Sequence, residues 1–190
     1  MKGYEKLIRE LQQKILRELE EAMHKHDILL GGGTALMIKY NHRFSEDLDL
    51  FVWDVAKSKY DRILREIWNH LAGFNREERY QTIFVYKDDV KVKIELHVRK
   101  SSENKLLQAE NLGSIRVLSD ADILGEKTYY GERCTERDLF DVKFLMNKHS
   151  WGKMQVINIL NEKFYDRAEE ILEDLEKYCP KMWKLVMARQ

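Results

Sequence analysis

The chain has 190 residues, 44% of them hydrophobic and 35% charged, a size and balance suited to one good soluble core with a helical extension. Lys and Arg number 33 and Asp and Glu 33, for a formal net charge of zero; that argues against a broad nonspecific nucleic-acid surface and leaves a local basic patch open. Cys134 and Cys179 are too few for a disulfide framework, no signal peptide precedes the first helix, and no apolar run approaches the roughly 20 residues a membrane span needs, so a reducing cytoplasm is the expected location.

In chain order, residues 4–26 carry Leu7, Leu11, Ile15 and Leu19, with Ile8 and Leu16 beside them. Apolar positions three and four apart predict an amphipathic helix, either packed on a sheet or recruiting a partner helix. His24 and His26 end it on different faces and do not make a metal pair. Residues 28–30 read as a strand, Gly31, Gly32 and Gly33 as a turn, and Thr34 as the start of a short helix. A polar loop with His42, Arg43 and Ser45 leads to a second strand at 47–52. A helix follows over 56–72, closed at Gly73. Residues 81–86 and 90–98 predict two strands joined at 87–89, the second with Val90, Val92, Ile94, Leu96 and Val98 on one face and Lys91, Lys93, Glu95 and His97 on the other. Residues 99–114 are polar and irregular, either a loop over a site or a surface connection. A short strand is expected at 115–118, Ser119 or Asp120 then caps a helix, and the remainder is helical. One helix ends near Tyr130 and Gly131, the next is capped at Thr135, and Pro180 breaks the tail before 182–187.

Residues 28–52 carry the first chemistry. Alternation along a strand sends Asp47 and Asp49 to one face while Leu48, Leu50 and Val52 anchor the other. Two close carboxylates resist ionisation unless a positive group lies between them, and a divalent cation with oxygen ligands is the usual remedy. Glycines at a strand-to-helix turn let backbone approach a phosphate, which then meets the helix N-terminus. Glu95 is a candidate third carboxylate, although an exposed Glu paired with Lys on an open sheet face is the plainer reading. Lys127 is a candidate triphosphate contact near Arg137, Asp138 and Asp141, where Arg137 with Asp141 also reads as an ordinary surface ion pair.

Gly32-Gly33 followed, after residues 34–46, by Asp47-Leu48-Asp49 resembles the nucleotidyltransferase signature of the DNA polymerase beta-like superfamily. The fuller strings GGTAL and HRFSEDLDLF are similar to the AbiEii/AbiGii-type toxin nucleotidyltransferases, as is a Lys, then an Arg, then R-D-x-x-D at Lys127, Arg133, Arg137, Asp138 and Asp141. The blocks lie within residues 28–145. The resemblance implies an α+β, polymerase-beta-like fold: a mixed sheet with flanking helices over residues 1–118, and a C-terminal helical region, 119–190, packed on that core. It implies that Asp47, Asp49 and Glu95 bind Mg2+ or Mn2+, that Gly32, Gly33, Thr34, Arg43, Ser45 and Lys127 hold the NTP, and that Asp47, Asp49, Glu95, Lys127 and Asp141 serve the reaction. Implied partners are an NTP, an RNA acceptor with tRNA the leading case, and a cognate antitoxin protein, with no membrane.

Two other readings stay open on the sequence. One is an NTP-binding or interaction module that has lost catalysis, against which the intact Asp47 and Asp49 speak. The other keeps the chemistry and changes the acceptor to a protein or a small molecule. Clustering of Arg43, Lys91, Lys93, Arg99, Lys100 and Lys105 about the site would mark RNA; scattering would mark a small acceptor.

Overall fold

A computed structural model describes residues 2–103, 105, 107–129 and 134–189. The chain divides into two compact units, Met1–Lys100 with Ala109–Leu118, and Ser101–Gln108 with Ser119–Gln190. The first holds α1 (Lys2–Lys25), β1 (Leu29–Leu30), α2 (Gly32–Tyr40), β2 (Leu48–Trp53), α3 (Lys57–His70), β3 (Asn75–Arg79), β4 (Thr82–Lys87), β5 (Val90–Arg99), β6 (Ala109–Leu112) and β7 (Ile115–Leu118). Its seven strands form one mixed sheet in the order β3-β4-β5-β2-β1-β7-β6. β2 runs parallel to β5 and antiparallel to β1, and β1 runs parallel to β7.

The stripe on α1 is core. Ile8, Leu11, Ile15, Leu16, Leu19 and Ala22 are all buried, and the helix lies against β5, β7 and α3. Leu48, Leu50 and Val52 of β2 and Val92, Ile94 and Leu96 of β5 are buried as well, as period-two alternation requires of a face covered by helices. At the end of α1, Lys25 and His26 reach Glu66 of α3 at 2.8 and 2.9 Å.

Two strands arise where the sequence shows no strand pattern. Asn-Arg-Glu-Glu-Arg at 75–79 forms β3 on the edge, paired antiparallel with β4 from Asn75↔Tyr86 to Arg79↔Thr82. Tyr80 and Gln81 close that hairpin, both at positive φ (50° and 67°), the conformation a two-residue turn between twisted strands demands. Residues 109–112, expected to be irregular, pair with β7 as β6, turning at Gly113 (φ 64°).

The second unit contains α4 (Asp120–Tyr129), α5 (Glu136–Lys148), α6 (Lys153–Lys163), α7 (Ala168–Tyr178) and α8 (Pro180–Met187). Ser119 caps α4, its hydroxyl accepting the Asp122 N–H at 3.1 Å. Thr135 caps α5 in a reciprocal box with Asp138, and Pro180 stands in the first turn of α8, where its missing N–H loses no helix bond. Ser101, Lys105 and Gln108, within the stretch expected to be irregular, are tied into this unit. Lys105 N–H donates to the Lys163 carbonyl at 2.8 Å, Gln108 N–H donates to Asp122 at 2.8 Å, and the Tyr165 hydroxyl donates to the Ser101 carbonyl at 2.8 Å. Beneath them Asp122 and Lys163 form a buried pair at 2.9 Å.

Cys134 and Cys179 are joined in a disulfide with a Cα–Cα separation of 6.0 Å. Cys134 directly precedes the α5 cap and Cys179 sits at the α7–α8 junction; two elements distant in sequence are neighbours in the fold, which composition does not reveal. Arg133 and the expected helix end at Tyr130 and Gly131 lie outside the described residues.

Candidate active site

The site is built on β2, β5 and the corner between β1 and α2. The Gly31 N–H donates to the Asp49 carbonyl at 2.8 Å, drawing the corner onto β2. Gly32 has φ 62°, and a Cβ there would fall 2.1 Å from Asp49 Oδ2; one on Gly33 would fall 2.5 Å from Arg43 Nη2. Only a residue without a side chain allows the N-terminus of α2 to meet both groups so closely. That N-terminus has no side-chain cap, so its first N–H groups are available to an anion.

Thr34 is buried and its hydroxyl donates to the Asp47 carbonyl, which clips α2 to the start of β2. Ser45 is buried in the same loop; its carbonyl accepts from the Gln12 amide at 3.0 Å, and its N–H faces Met37 Sδ at 3.3 Å. The Arg43 guanidinium lies beside Gly33 and donates to the Phe44 carbonyl at 3.0 Å.

The parallel register pairs Asp49 with Glu95 and Phe51 with His97. The outer row of β5, Lys91, Lys93, Glu95, His97 and Arg99, therefore runs beside Asp47 and Asp49. Lys93 Nζ lies 2.9 Å from Glu95 Oε2 and 3.6 Å from Asp47 Oδ2. His97 Nε2 lies 3.5 Å from Asp49 Oδ1, and the Thr82 hydroxyl stands 3.5 Å from Glu95 Oε1. Burial, then repulsion from Asp49 and Glu95, raises the Asp47 pKa above its ordinary value although Lys93 works against it. Burial opposes the charge on Lys93, but the hydrogen bond to Glu95 and the charges of Asp47, Glu95 and Asp49 prevail and push its pKa up.

Asp49, Glu95 and His97 each offer a ligand atom, all within 4.8 Å of one another. Carboxylate oxygens together with an imidazole nitrogen fit a divalent cation. His97 was not among the sequence candidates for the site, and Lys93 entered only as one of the basic residues that would mark an RNA acceptor. Their signal was present, since both share the alternating face of Glu95, but only the register shows that this face meets Asp47 and Asp49.

In the second unit Lys127 Nζ bonds Asp138 Oδ1 at 2.7 Å and Asp141 Oδ2 at 2.9 Å. Asp141 is fully buried and the Lys127 side chain 11% exposed. Burial opposes the lysine charge, and the two carboxylates overcome it to raise its pKa. Asp138 is lowered: burial acts against it, and Lys127 together with the bonds from Thr135 outweighs burial.

The sequence matches the family described as nucleotidyl transferase AbiEii toxin, type IV toxin–antitoxin system, over residues 14–187, well beyond the motif blocks within 28–145. It is 27% identical over 196 aligned positions to an uncharacterized protein of Aquifex aeolicus, covering 87% of this chain and 91% of that one. Among solved structures it is similar to MenT4, a nucleotidyltransferase toxin of Mycobacterium tuberculosis, with 18% identity, a TM-score of 0.58 and coverage of 90% of this chain and 66% of that one. It is also similar to the antibiotic-resistance factor ANT(2'')-Ia, with 15% identity, a TM-score of 0.55 and coverage of 88% and 97%. The fold is that of polymerase-beta-like nucleotidyltransferases. No described helix is long and apolar enough to cross a membrane.

Proposed function

This chain belongs to the nucleotidyl transferase AbiEii toxin family, and from that premise we propose that it is a metal-dependent enzyme that moves a nucleoside monophosphate from an NTP to a hydroxyl of RNA, with tRNA as the leading case. The observation that carries the chemistry is Asp49 set level with Glu95 across parallel strands, under the Gly32 corner.

The acceptor oxygen attacks the α-phosphorus, the bond from that phosphorus to the bridging oxygen of the β-phosphate breaks, and pyrophosphate leaves. Asp47, Asp49 and Glu95 hold the divalent cations, two in the full site. When bound, these supply Lewis-acid stabilisation of the charge that develops on the phosphate oxygens. The N–H groups of Gly32 and Gly33 receive terminal phosphates at the α2 N-terminus. Thr34 and Ser45 position the loop that carries Asp47. Arg43, beside Gly33, neutralises charge on the departing pyrophosphate. Glu95 either completes the cation site or takes the proton of the acceptor hydroxyl. Lys127 and Asp141 enter as reaction residues on the strength of the sequence resemblance; their mutual ion pair supports a fixed lysine.

RNA is favoured as acceptor because Lys91 and Arg99 stand on the same row as Glu95 and Arg43 lies beside Gly33, a placement suited to phosphates. Zero net charge favours the second reading, a small-molecule acceptor. The family's toxin–antitoxin context supports an antitoxin protein as partner, and the substrates support a cytoplasmic location. Pyrophosphate release from each NTP, measured with and without divalent cation and with and without total RNA, tests the proposal; release in the Asp49→Asn variant equal to that of the parent protein would overturn it.

A further inference from the structure

We propose that His97 is a direct ligand of the cation in this site, and that the site therefore selects a first-row transition-metal ion such as Co2+ over Mg2+. The inference rests on the metal-dependent reading of Asp47, Asp49 and Glu95 given above.

Three observations carry it. His97 follows Glu95 by one strand repeat, so both point to the same face, and the parallel register sets Glu95 against Asp49 and His97 against Phe51. The imidazole Nε2 is 3.5 Å from Asp49 Oδ1, and donors from Asp49, Glu95 and His97 converge within 4.8 Å. Two donors on one ion at about 2.0–2.2 Å each stand at most about 4.4 Å apart, so a shift of a few tenths of an ångström closes the set. The ring is also braced from the neighbouring strand, its centroid 5.0 Å from that of Phe51.

Lys93 flanks Glu95 on the other side, bridging it to Asp47. The row thus presents an ammonium at one end of Glu95 and an uncharged nitrogen donor at the other when His97 is neutral. A cation seated on the His97 side meets two carboxylates and an imidazole. Mg2+ favours oxygen ligands in near-ideal octahedral geometry, whereas imidazole suits later first-row ions. The donor set therefore discriminates between cations that an all-carboxylate set would treat more alike.

The full chain is titrated with Co2+ and, separately, with Mg2+, and the Co2+ form is examined by visible absorption and proton NMR. The expected result is Co2+ affinity at least about tenfold above that for Mg2+, with a hyperfine-shifted, exchangeable imidazole N–H resonance. In His97→Gln that resonance disappears and Co2+ affinity falls on the order of 10- to 100-fold, with Mg2+ affinity altered far less. A thermal melt accompanies each variant, and His97→Asn replaces the glutamine variant if the latter does not fold. Co2+ bound without a shifted imidazole resonance overturns the assignment of His97; if that binding still vanishes in Asp49→Asn, the carboxylate reading stands alone. If neither ion binds, both fall.

Discussion

Asp49 and Glu95 face each other as register partners on adjacent parallel strands, while the Gly31 N–H bonds the Asp49 carbonyl from the other side. One residue of β2 thus joins the glycine corner to the third acidic group. The arrangement depends on close backbone approach at the corner and on register in the sheet, and these can be perturbed separately.

Gly32→Ala places a methyl group 2.1 Å from Asp49 Oδ2 at a φ of 62°. The left-handed conformation alone costs a non-glycine residue about 1–2 kcal/mol, and the clash adds to it. The variant should melt several degrees lower and lose cation binding. Gly73→Ala, with nothing within 4 Å, should melt at or slightly above the parent temperature. Equal melting and equal binding in Gly32→Ala would show that the corner is not as tight as described.

Asp47→Asn should raise the melting temperature at neutral pH in the absence of divalent cation. The folded-state pKa of Asp47 is raised, first by burial and then by Asp49 and Glu95. A raised carboxylate destabilises the fold above its folded pKa, and the penalty disappears below the ordinary value of 3.8. The gain from Asn should therefore be present at pH 7 and absent in acid, as differential scanning calorimetry across pH would record. A variant less stable than the parent at pH 7 would contradict this sign.

Asp141→Ala leaves Lys127 in a nearly closed site with Asp138 alone. Breaking a buried pair by removing one partner costs about 3–5 kcal/mol, and chemical denaturation should show a loss of that order. The triad has its own pH window. The raised Lys127 contributes fully below its ordinary 10.5 and is lost as pH rises through its folded value; the lowered Asp138 contributes above 3.8 and is lost as pH falls through its folded value. The triad's contribution to stability should be flat between those limits and decline outside them, less steeply at the alkaline end in Asp141→Ala.

Reduction of the Cys134–Cys179 bond should lower the melting temperature. A sequence separation of 45 corresponds to about 4 kcal/mol in the chain-entropy account of cross-links. Cys134→Ser with Cys179→Ser should reproduce the effect of reductant and make the protein insensitive to it. No shift on reduction would mean that the bond adds nothing to stability.

The parts of this architecture that were legible in the sequence have short-range signals. The glycine run ahead of a helix, alternation through Leu48-Asp49-Leu50, and alternation through Lys93-Ile94-Glu95-Leu96-His97 each follow from the period of one element. The caps at Ser119 and Thr135 are equally local. β3 was not legible, because Asn-Arg-Glu-Glu-Arg has no apolar face and its hairpin turn uses Tyr80 and Gln81 rather than glycine or asparagine. Such an edge strand draws its order from backbone pairing with β4. The Asp122–Lys163 pair, the Lys93 bridge to Asp47 and the disulfide were hidden for a different reason: each joins residues on separate elements, and only register and packing bring them together. Thr34 illustrates the limit at a single residue. Its place at the helix start follows from the local sequence, whereas its bond to the Asp47 carbonyl, 13 residues away in the chain, does not.

The most direct test of the central claim is label transfer. The purified chain is incubated with each α-labelled NTP, divalent cation and total cellular RNA, and the products are resolved into RNA, protein and small-molecule fractions. The account predicts label on RNA with release of pyrophosphate, absent without cation and absent in Asp47→Asn and Asp49→Asn. Label confined to protein or small molecules would contradict the RNA acceptor, and label that persists in both variants would contradict the site itself.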